Sequence, residues 1–325
     1  MKNKKIIFGI ALIVMAIFPV FAQQYTDESS FFVTTLNDGR SVEIIKYISI
    51  TGTVNIPPRI RNLPVTHIGR EVFAQKKLIS ITIPNSVTTI GVGAFAGNQL
   101  TGVTIPNSVT NIGTHAFAMN GLTSVTIPNG VTRIERATFY DNKLTRVTLP
   151  SNVTTIGDSA FENNQLTSIN IPNSVTTIGT GAFLNNQLTS VSIPNGVTAI
   201  GKLAFSDNQL TSVTIPNSVT AIGEFAFARN QLTNINISNK VNIIRMAAFY
   251  NNKLSSVTIP NSVTTIEEAA FEENQLTSIT IPSNVLLTGD EYWCFSEGFD
   301  NCYEQNKRAG GTYIKDANNN WRKEK

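Results

Sequence analysis

Apolar residues return along this chain at fixed intervals that hold neither a helical nor a two-residue strand period for long. From Leu78 onward a consensus, Leu-Thr-Ser-Val-Thr-Ile-Pro-Asn-Ser-Val-Thr-Thr-Ile-Gly-x-x-Ala-Phe-x-x-Asn-Gln, recurs every 22 residues. Numbered from each leading leucine (Leu78 to Leu254, with a tenth unit opening at Leu276), the apolar positions are 1, 4, 6, 10, 13 and 18, with alanine at 17. Such spacing suits a coil of short segments whose corners fall between inward-pointing side chains. Self-similarity at this period predicts a repeat solenoid, mainly β. One coil cannot bury its own apolar face, so neighbours must stack into a single cooperative body of about ten or eleven coils.

Within a coil, positions 3–6, as in Ser80-Ile81-Thr82-Ile83, alternate polar and apolar with β-branched residues and predict a short strand. Proline at position 7 lacks an N–H for the ladder and closes it. Val-Thr-x-Ile at positions 10–13 predicts a second extended piece, and the Ala-Phe stretch suits a turn of helix or 3-10 helix. Phe95, Phe117, Phe139, Phe161, Phe183, Phe205, Phe227, Phe249 and Phe271 are expected to stack as a core spine. Asn98, Asn120, Asn142, Asn164, Asn186, Asn208, Asn230, Asn252 and Asn274 are expected to form a second ladder. An amide carries donors and an acceptor, and so can satisfy turn backbone groups that stacking would bury unpaired.

The motif Leu-x-x-Ile-x-Ile-Pro-x-x-Val-x-x-Ile-Gly-x-x-Ala-Phe-x-x-Asn resembles the BspA-like, treponemal-type class of leucine-rich repeats. Tyr47-Ile48-Ser49-Ile50-Thr51-Gly52-Thr53-Val54-Asn55-Ile56-Pro57 and Leu63-Pro64-Val65-Thr66-His67-Ile68-Gly69 resemble that family's divergent first repeat, with Phe73 continuing the spine. The resemblance covers roughly residues 42–285 and implies a leucine-rich repeat array. Departures are asparagine after the phenylalanine, Glu135, Arg245 and Glu267 in place of the glycine at position 14, and Ser238-Asn239-Lys240 in place of Pro-Asn-Ser. The first of the three puts the usual small or cysteine ladder in doubt, and the last suggests a locally irregular coil. Replacing the glycine means that left-handed backbone is not obligatory at position 14.

Four segments follow. Residues 1–22 read as a signal peptide: a basic start, an apolar stretch from Ile6 to Phe18, and Val20-Phe21-Ala22 as a cleavage site. Residues 23–77 form the N-terminal cap and divergent first repeat, with strands expected over 31–36 and 41–47. Residues 78–285 are the array. Residues 286–325, which hold both tryptophans, form an aromatic C-terminal cap with a helix near 296–307 and a hairpin over 312–315 and 321–323.

Composition removes most chemistry. The formal charge is +3, but without Lys2, Lys4 and Lys5 basic and acidic residues balance at 22 each, which gives no warrant for nucleic-acid binding. Two histidines and two cysteines are too few for a His/Cys metal centre or a disulfide-dense scaffold. His67 and His115 are the only candidate general bases, and no Gly-x-Ser-x-Gly elbow presents a nucleophile. Gly91-Val-Gly93 and Gly179-Thr-Gly181 begin like phosphate loops but lack the third glycine. Glu267, Glu268, Glu272 and Glu273 read as a solvated acidic patch sooner than a calcium site, which wants six to eight oxygens on a curved loop. No cofactor or metal site is expected. In an oxidising compartment Cys294 and Cys302 can pair, unless an intervening helix holds them apart.

What remains is surface. Strand positions 3 and 5 point away from the core and stack into two rows. Thr126, Arg146, Thr148, Ser168, Asn170, Ser190, Ser192, Ser212 and Thr214 make the middle of that face, a long, weakly charged platform for a protein or glycan. Small hydroxyls also suit close stacking whatever the function. Together with the resemblance, this face points to an exported, non-enzymatic binding protein: periplasmic, secreted, or a cell-surface adhesin for host or bacterial proteins, extracellular-matrix proteins among them. The alternative is a structural envelope or secreted scaffold without a host ligand. Ice binding by the threonine rows is disfavoured because serine, asparagine, glycine and arginine interrupt them.

Overall fold

A computed structural model describes residues 24–49, 52–289 and 292–324, so the expected signal peptide lies outside the described residues. The chain winds into a β-solenoid of about 11 turns, about 22 residues apart. In the coil that opens at Leu166, the apolar positions Leu166, Ile169, Ile171, Val175, Ile178, Ala182 and Phe183 are all buried, and the other coils repeat this. From Phe73 to Phe271 the rings stack nearly parallel, centroids 5.2–5.8 Å apart. The spine runs further than the repeat motif indicates. Tyr47 closes it at one end, 5.1 Å from Phe73, and Phe295 at the other, 4.9 Å from Phe271.

Each position-21 asparagine binds two coils together. Asn186 donates from Nδ2 to the carbonyls of Phe161, Phe183 and Leu184, at 2.9, 3.2 and 3.3 Å, and its Oδ1 accepts from the N–H of Leu166 at 3.0 Å. The same set recurs from Asn98 to Asn274.

The two extended pieces differ from expectation. The strand at positions 3–5 is present in most coils (Ser124–Thr126, Arg146–Thr148, Ser212–Thr214), but it is lost at 102–104 and 168–170. Gly102, a residue of low strand preference, stands in the first of them; in the second, Asn170 is no sufficient cause, because Asn234–Asn236 forms the strand in its own coil. Positions 12–13 carry the longer ladder: eight parallel strands in consecutive coils, from Arg133–Ile134 to Leu286–Leu287. Its isoleucines are buried and in register, for example Ile156 against Ile178.

No helical turn forms beside Ala-Phe, which corrects the expectation of helix or 3-10 helix there. Positions 16 and 20 instead take left-handed backbone, and few of them are glycine: Met119 (φ 54°), Leu203 (φ 59°) and Phe225 (φ 56°) adopt it. Such a conformation costs about 1–2 kcal/mol per non-glycine residue. It is offset because alternate N–H groups are turned toward the next coil. Leu203, Phe205 and Asp207 donate to Glu224, Ala226 and Ala228, whereas Ala204 and Ser206 bond within their own turn. At position 14 glycine answers a lack of room: a Cβ on Gly91 would lie 2.7 Å from the carbonyl carbon of Gly69.

The coil of Ser238 is regular, contrary to expectation. In three other coils a serine at position 9 donates to the preceding coil's valine carbonyl: Ser108 to Val87, Ser174 to Val153 and Ser262 to Val241, the last at 2.7 Å. With Lys240 at that position, buried Ser238 donates to the equivalent Val219 carbonyl at 2.8 Å and also accepts from the Lys240 N–H.

Both ends are covered. An antiparallel hairpin, Phe31–Thr35 and Val42–Tyr47, leads into the first coil through Leu63–Ile68. At the far end, a helix Glu297–Gln305 capped by Ser296 buries Phe299 and Tyr303, and the strand Gly311–Lys315 adds antiparallel to Ser278–Ile281.

Candidate binding face

Alternation in a strand sends positions 4 and 6 inward and positions 3 and 5 outward. Thr126, Arg146, Thr148, Ser168, Asn170, Ser190, Ser192, Ser212 and Thr214 are accordingly exposed. Where strands pair, their rows stand in register: Arg146 beside Ser124, Thr148 beside Thr126, Ser212 beside Asn234. The platform is interrupted, however. Between Arg146–Thr148 and residues 168–170 no strand pairing is made, and a cleft of about 330 Å³ opens there, lined by 145–149 and 167–170. Arg146 borders that cleft, without an ion pair or hydrogen bond from its side chain among the described residues.

The use of hydroxyl groups separates this face from the rest of the solenoid. On the face of the longer ladder, position 11 carries an exposed threonine row that the sequence reading passed over. Its hydroxyls are spent inside the fold: Thr154 donates to the Thr132 carbonyl at 3.2 Å, Thr176 to Thr154 at 3.3 Å and Thr220 to Thr198 at 3.2 Å. On the strand face, the side chains of Thr126, Thr148, Ser168, Asn170, Ser190, Ser192, Ser212 and Thr214 make no bond within the chain among the described residues. Those groups face water with donors and acceptors free for a partner.

The turn side carries two further concavities that sequence reasoning missed. One, of about 550 Å³, lies near the N-terminal end and includes Lys46, Arg70, Lys76, Val92, His115 and Met119. The other, of about 320 Å³, lies near the C-terminal end and includes Phe225, Arg229, Met246, Tyr250, Glu268 and Glu272. Burial raises the Glu272 carboxyl above its ordinary pKa, and the Glu273 and Glu268 charges push it further. These residues occupy variable repeat positions, so the signal was present only as a departure from the consensus.

Nothing assembles around the two histidines. The Nδ1 of His67 bonds the Thr66 hydroxyl at 2.9 Å, and His115 lies in the N-terminal concavity. Among the described residues no group of three His, Cys, Asp or Glu side chains is placed to hold a metal ion. Cys294 and Cys302 are free in the structure. The Cys294 thiol is buried and donates to the Ile266 carbonyl at 3.2 Å, while that of Cys302 faces the Trp321 carbonyl at 3.4 Å. Burial raises both thiol pKa values. In the same cap, Asp300 accepts from the backbone N–H groups of Cys294 at 2.7 Å and Phe295 at 3.3 Å. Burial still pushes its carboxyl up to about 6.

A stack of leucine-led coils with one hydroxyl face left unspent is an interaction scaffold of the leucine-rich repeat class. The model of the BspA type leucine-rich repeat region matches residues 66–189 and 176–302, with six copies. The chain belongs to this family. Among solved structures it is similar to a leucine-rich cell surface protein from Faecalibacterium prausnitzii, at 30% identity over 80% of this chain and 89% of that one, TM-score 0.49. It also resembles a leucine-rich repeat protein from Bacteroides ovatus, at 23% identity over 84% of this chain and 69% of that one, TM-score 0.58. The pneumococcal vaccine antigen PcpA shares the fold at 18% identity over 85% of this chain and 94% of PcpA, TM-score 0.53. No curated protein matches the chain. No helix among the described residues is long and apolar enough to cross a membrane.

Proposed function

We propose that this is an exported, non-enzymatic adhesin-type protein that binds a protein or glycan at the cell surface through its strand face. One observation carries the reading: the side chains of Thr126, Thr148, Ser168, Asn170, Ser190, Ser192, Ser212 and Thr214 have no partner within the chain among the described residues, whereas Thr154, Thr176 and Thr220 of the threonine row on the neighbouring face do. Membership of a leucine-rich repeat family supports a protein-interaction role. A leader with a basic start and an apolar stretch over 6–18 supports export. Affinity is spread over several coils, because a repeat surface offers similar weak contacts many times. Arg146 is the anchor, since it is unpaired, borders the cleft, and is of a type favoured at interaction hot spots. Host extracellular-matrix proteins are the partner class to try first.

The test begins with a pull-down on immobilised matrix proteins and, in parallel, on envelope fractions. For the partner returned, Ser168→Lys, Ser190→Glu and Ser212→Lys are combined, alternating in sign so that neighbouring coils do not repel. Arg146→Ser is made separately. Binding should be lost in the triple variant and weakened about tenfold or more by R146S, the effect of a contact worth ~1.4 kcal/mol, with thermal melting unchanged. Full binding by both, with loss on deleting 286–325, moves the site to the C-terminal cap and refutes the assignment. Capture by envelope fractions alone favours a structural envelope protein instead.

A further inference from the structure

The cleft beside Arg146 is walled by backbone that the fold leaves unpaired. Where neighbouring coils pair on the strand side, the N–H at position 6 donates to the position-5 carbonyl of the next coil. Ile127 does so to Thr148 at 3.0 Å, and Ile259 to Thr280 at 2.8 Å. At position 2 the N–H donates to the same position one coil back, as Thr145 does to Thr123 at 2.9 Å. Neither bond forms across the cleft. The Leu149 N–H, the Asn170 carbonyl, the Thr167 N–H and the Thr145 carbonyl have no partner within the chain among the described residues. All of these residues line the cleft. The Thr148, Ser168 and Asn170 side chains add hydroxyls and an amide that are equally unspent. Arg146 supplies the charge. No acidic residue stands at positions 1–7 of the coils that open at Leu122, Leu144, Leu166 and Leu188, so no carboxylate on this stretch of the face opposes it. The other break in the strand row, at 102–104, has no charged residue at positions 1–7 of its own coil or of the coils on either side.

We propose that this cleft seats one anionic sugar residue of a partner's glycan, with its carboxylate or sulfate on the Arg146 guanidinium. The proposal rests on the strand face being the binding face, and it names the chemistry that this face takes. A planar guanidinium offers a fork of donors that matches the oxygens of such an anionic group. The walls, however, present unpaired carbonyls as well as N–H groups. An ionised Asp or Glu side chain entering alone accepts only, and would leave those carbonyls without donors. Hydroxyls both donate and accept, and a sugar ring carries several of them around one compact unit. The cleft volume of about 330 Å³ lies at the lower end of the ~300–1,000 Å³ range of small-molecule sites, which suits a single sugar residue with its anionic group. No aromatic side chain lines the cleft, so a neutral ring has no face to stack on. Charge is therefore what selects the ligand.

Titrations of the full chain followed by saturation-transfer NMR test the assignment. The probes are a sialyl trisaccharide, a glucuronate-containing tetrasaccharide, a sulfated tetrasaccharide, and the glucuronate probe reduced to its neutral alcohol. At least one acidic probe should bind, the neutral alcohol should not, and binding should weaken as salt screens the Arg146 charge. Arg146→Ser should weaken binding about tenfold or more, the effect of losing one hydrogen bond to a charged group. Arg146→Lys should lose less, because the charge stays while the fork goes. Ser168→Phe fills the cleft and should abolish binding with Arg146 still in place. Lys46→Ser with Lys76→Ser, at the basic concavity of the turn side, should bind like the parent. Circular dichroism melts confirm that each variant is folded. The proposal is overturned if no acidic probe binds, if the neutral alcohol binds equally, or if R146S and S168F both bind like the parent. A glutamate peptide that binds in the cleft more tightly than every sugar would also overturn it, in favour of an acidic protein partner. The strand-face reading is scored apart: it survives a failed sugar titration if the triple variant still loses the pull-down partner, and falls if that variant keeps it.

Discussion

Phe183 and Asn186 lie three residues apart and hold the coil together by different means. Phe183 is fully buried between Phe161 and Phe205, so truncation removes dispersion and apolar burial on both sides. Phe183→Ala should therefore destabilise by about 3–5 kcal/mol. Asn186 works through its four hydrogen bonds, and Asn186→Ala strands the Leu166 N–H in the interior, while the Phe161 carbonyl keeps only its bond from Asn164. Its expected loss is smaller, about 1–3 kcal/mol. Denaturant melts of both variants check the order; parent-like melting of both would mean that these ladders are not interior. At this scale the sequence was most legible where one residue type does one job in every coil, as phenylalanine and asparagine do. It was silent where the backbone dictates conformation and the side chain merely tolerates it. Left-handed Met119, Leu203 and Phe225 share no chemistry that would reveal positions 16 and 20, since the compensation lies in backbone bonds to the next coil.

Short segments were easier to detect than to rank. Both extended pieces of the coil were visible as β-branched alternation, but the more continuous ladder is the one at positions 12–13. The strand that carries the candidate site breaks at 102–104, where Gly102 has low strand preference, and at 168–170, which residue type does not explain because Asn236 occupies the position of Asn170 in a formed strand. The face could be located from alternation, and the cleft beside Arg146 could not, because it depends on failed pairing between two coils. The C-terminal cap makes its own prediction. Its Asp300 carboxyl has a folded pKa of about 6 against an ordinary 3.8. A carboxyl raised on folding contributes stability that is complete below pH 4 and is lost as the pH rises through 6. With a shift of this size the loss approaches ~3 kcal/mol. Asp300→Asn should remove that part of the pH dependence. Melting of parent and variant should thus diverge between pH 4 and pH 7, and equal slopes would show that Asp300 is not buried as described.

At the scale of the molecule, stacking explains both stability and function. Every coil is covered by two neighbours or by a cap, so the array unfolds as one body, and its faces stay straight enough to present the same groups many times. One side spends its hydroxyls on the ladder and the strand side keeps them. The central claim is that a partner is held along the strand face. Hydrogen–deuterium exchange of the chain, alone and with the partner returned by the pull-down, tests it most directly. The account predicts added protection in Ser124–Thr126, Arg146–Thr148 and Ser212–Thr214, and over 168–170 where the backbone is unpaired, with little change in Thr155–Ile156 or Thr177–Ile178. Protection confined to 292–324, or to the turns around the phenylalanine spine, would contradict it.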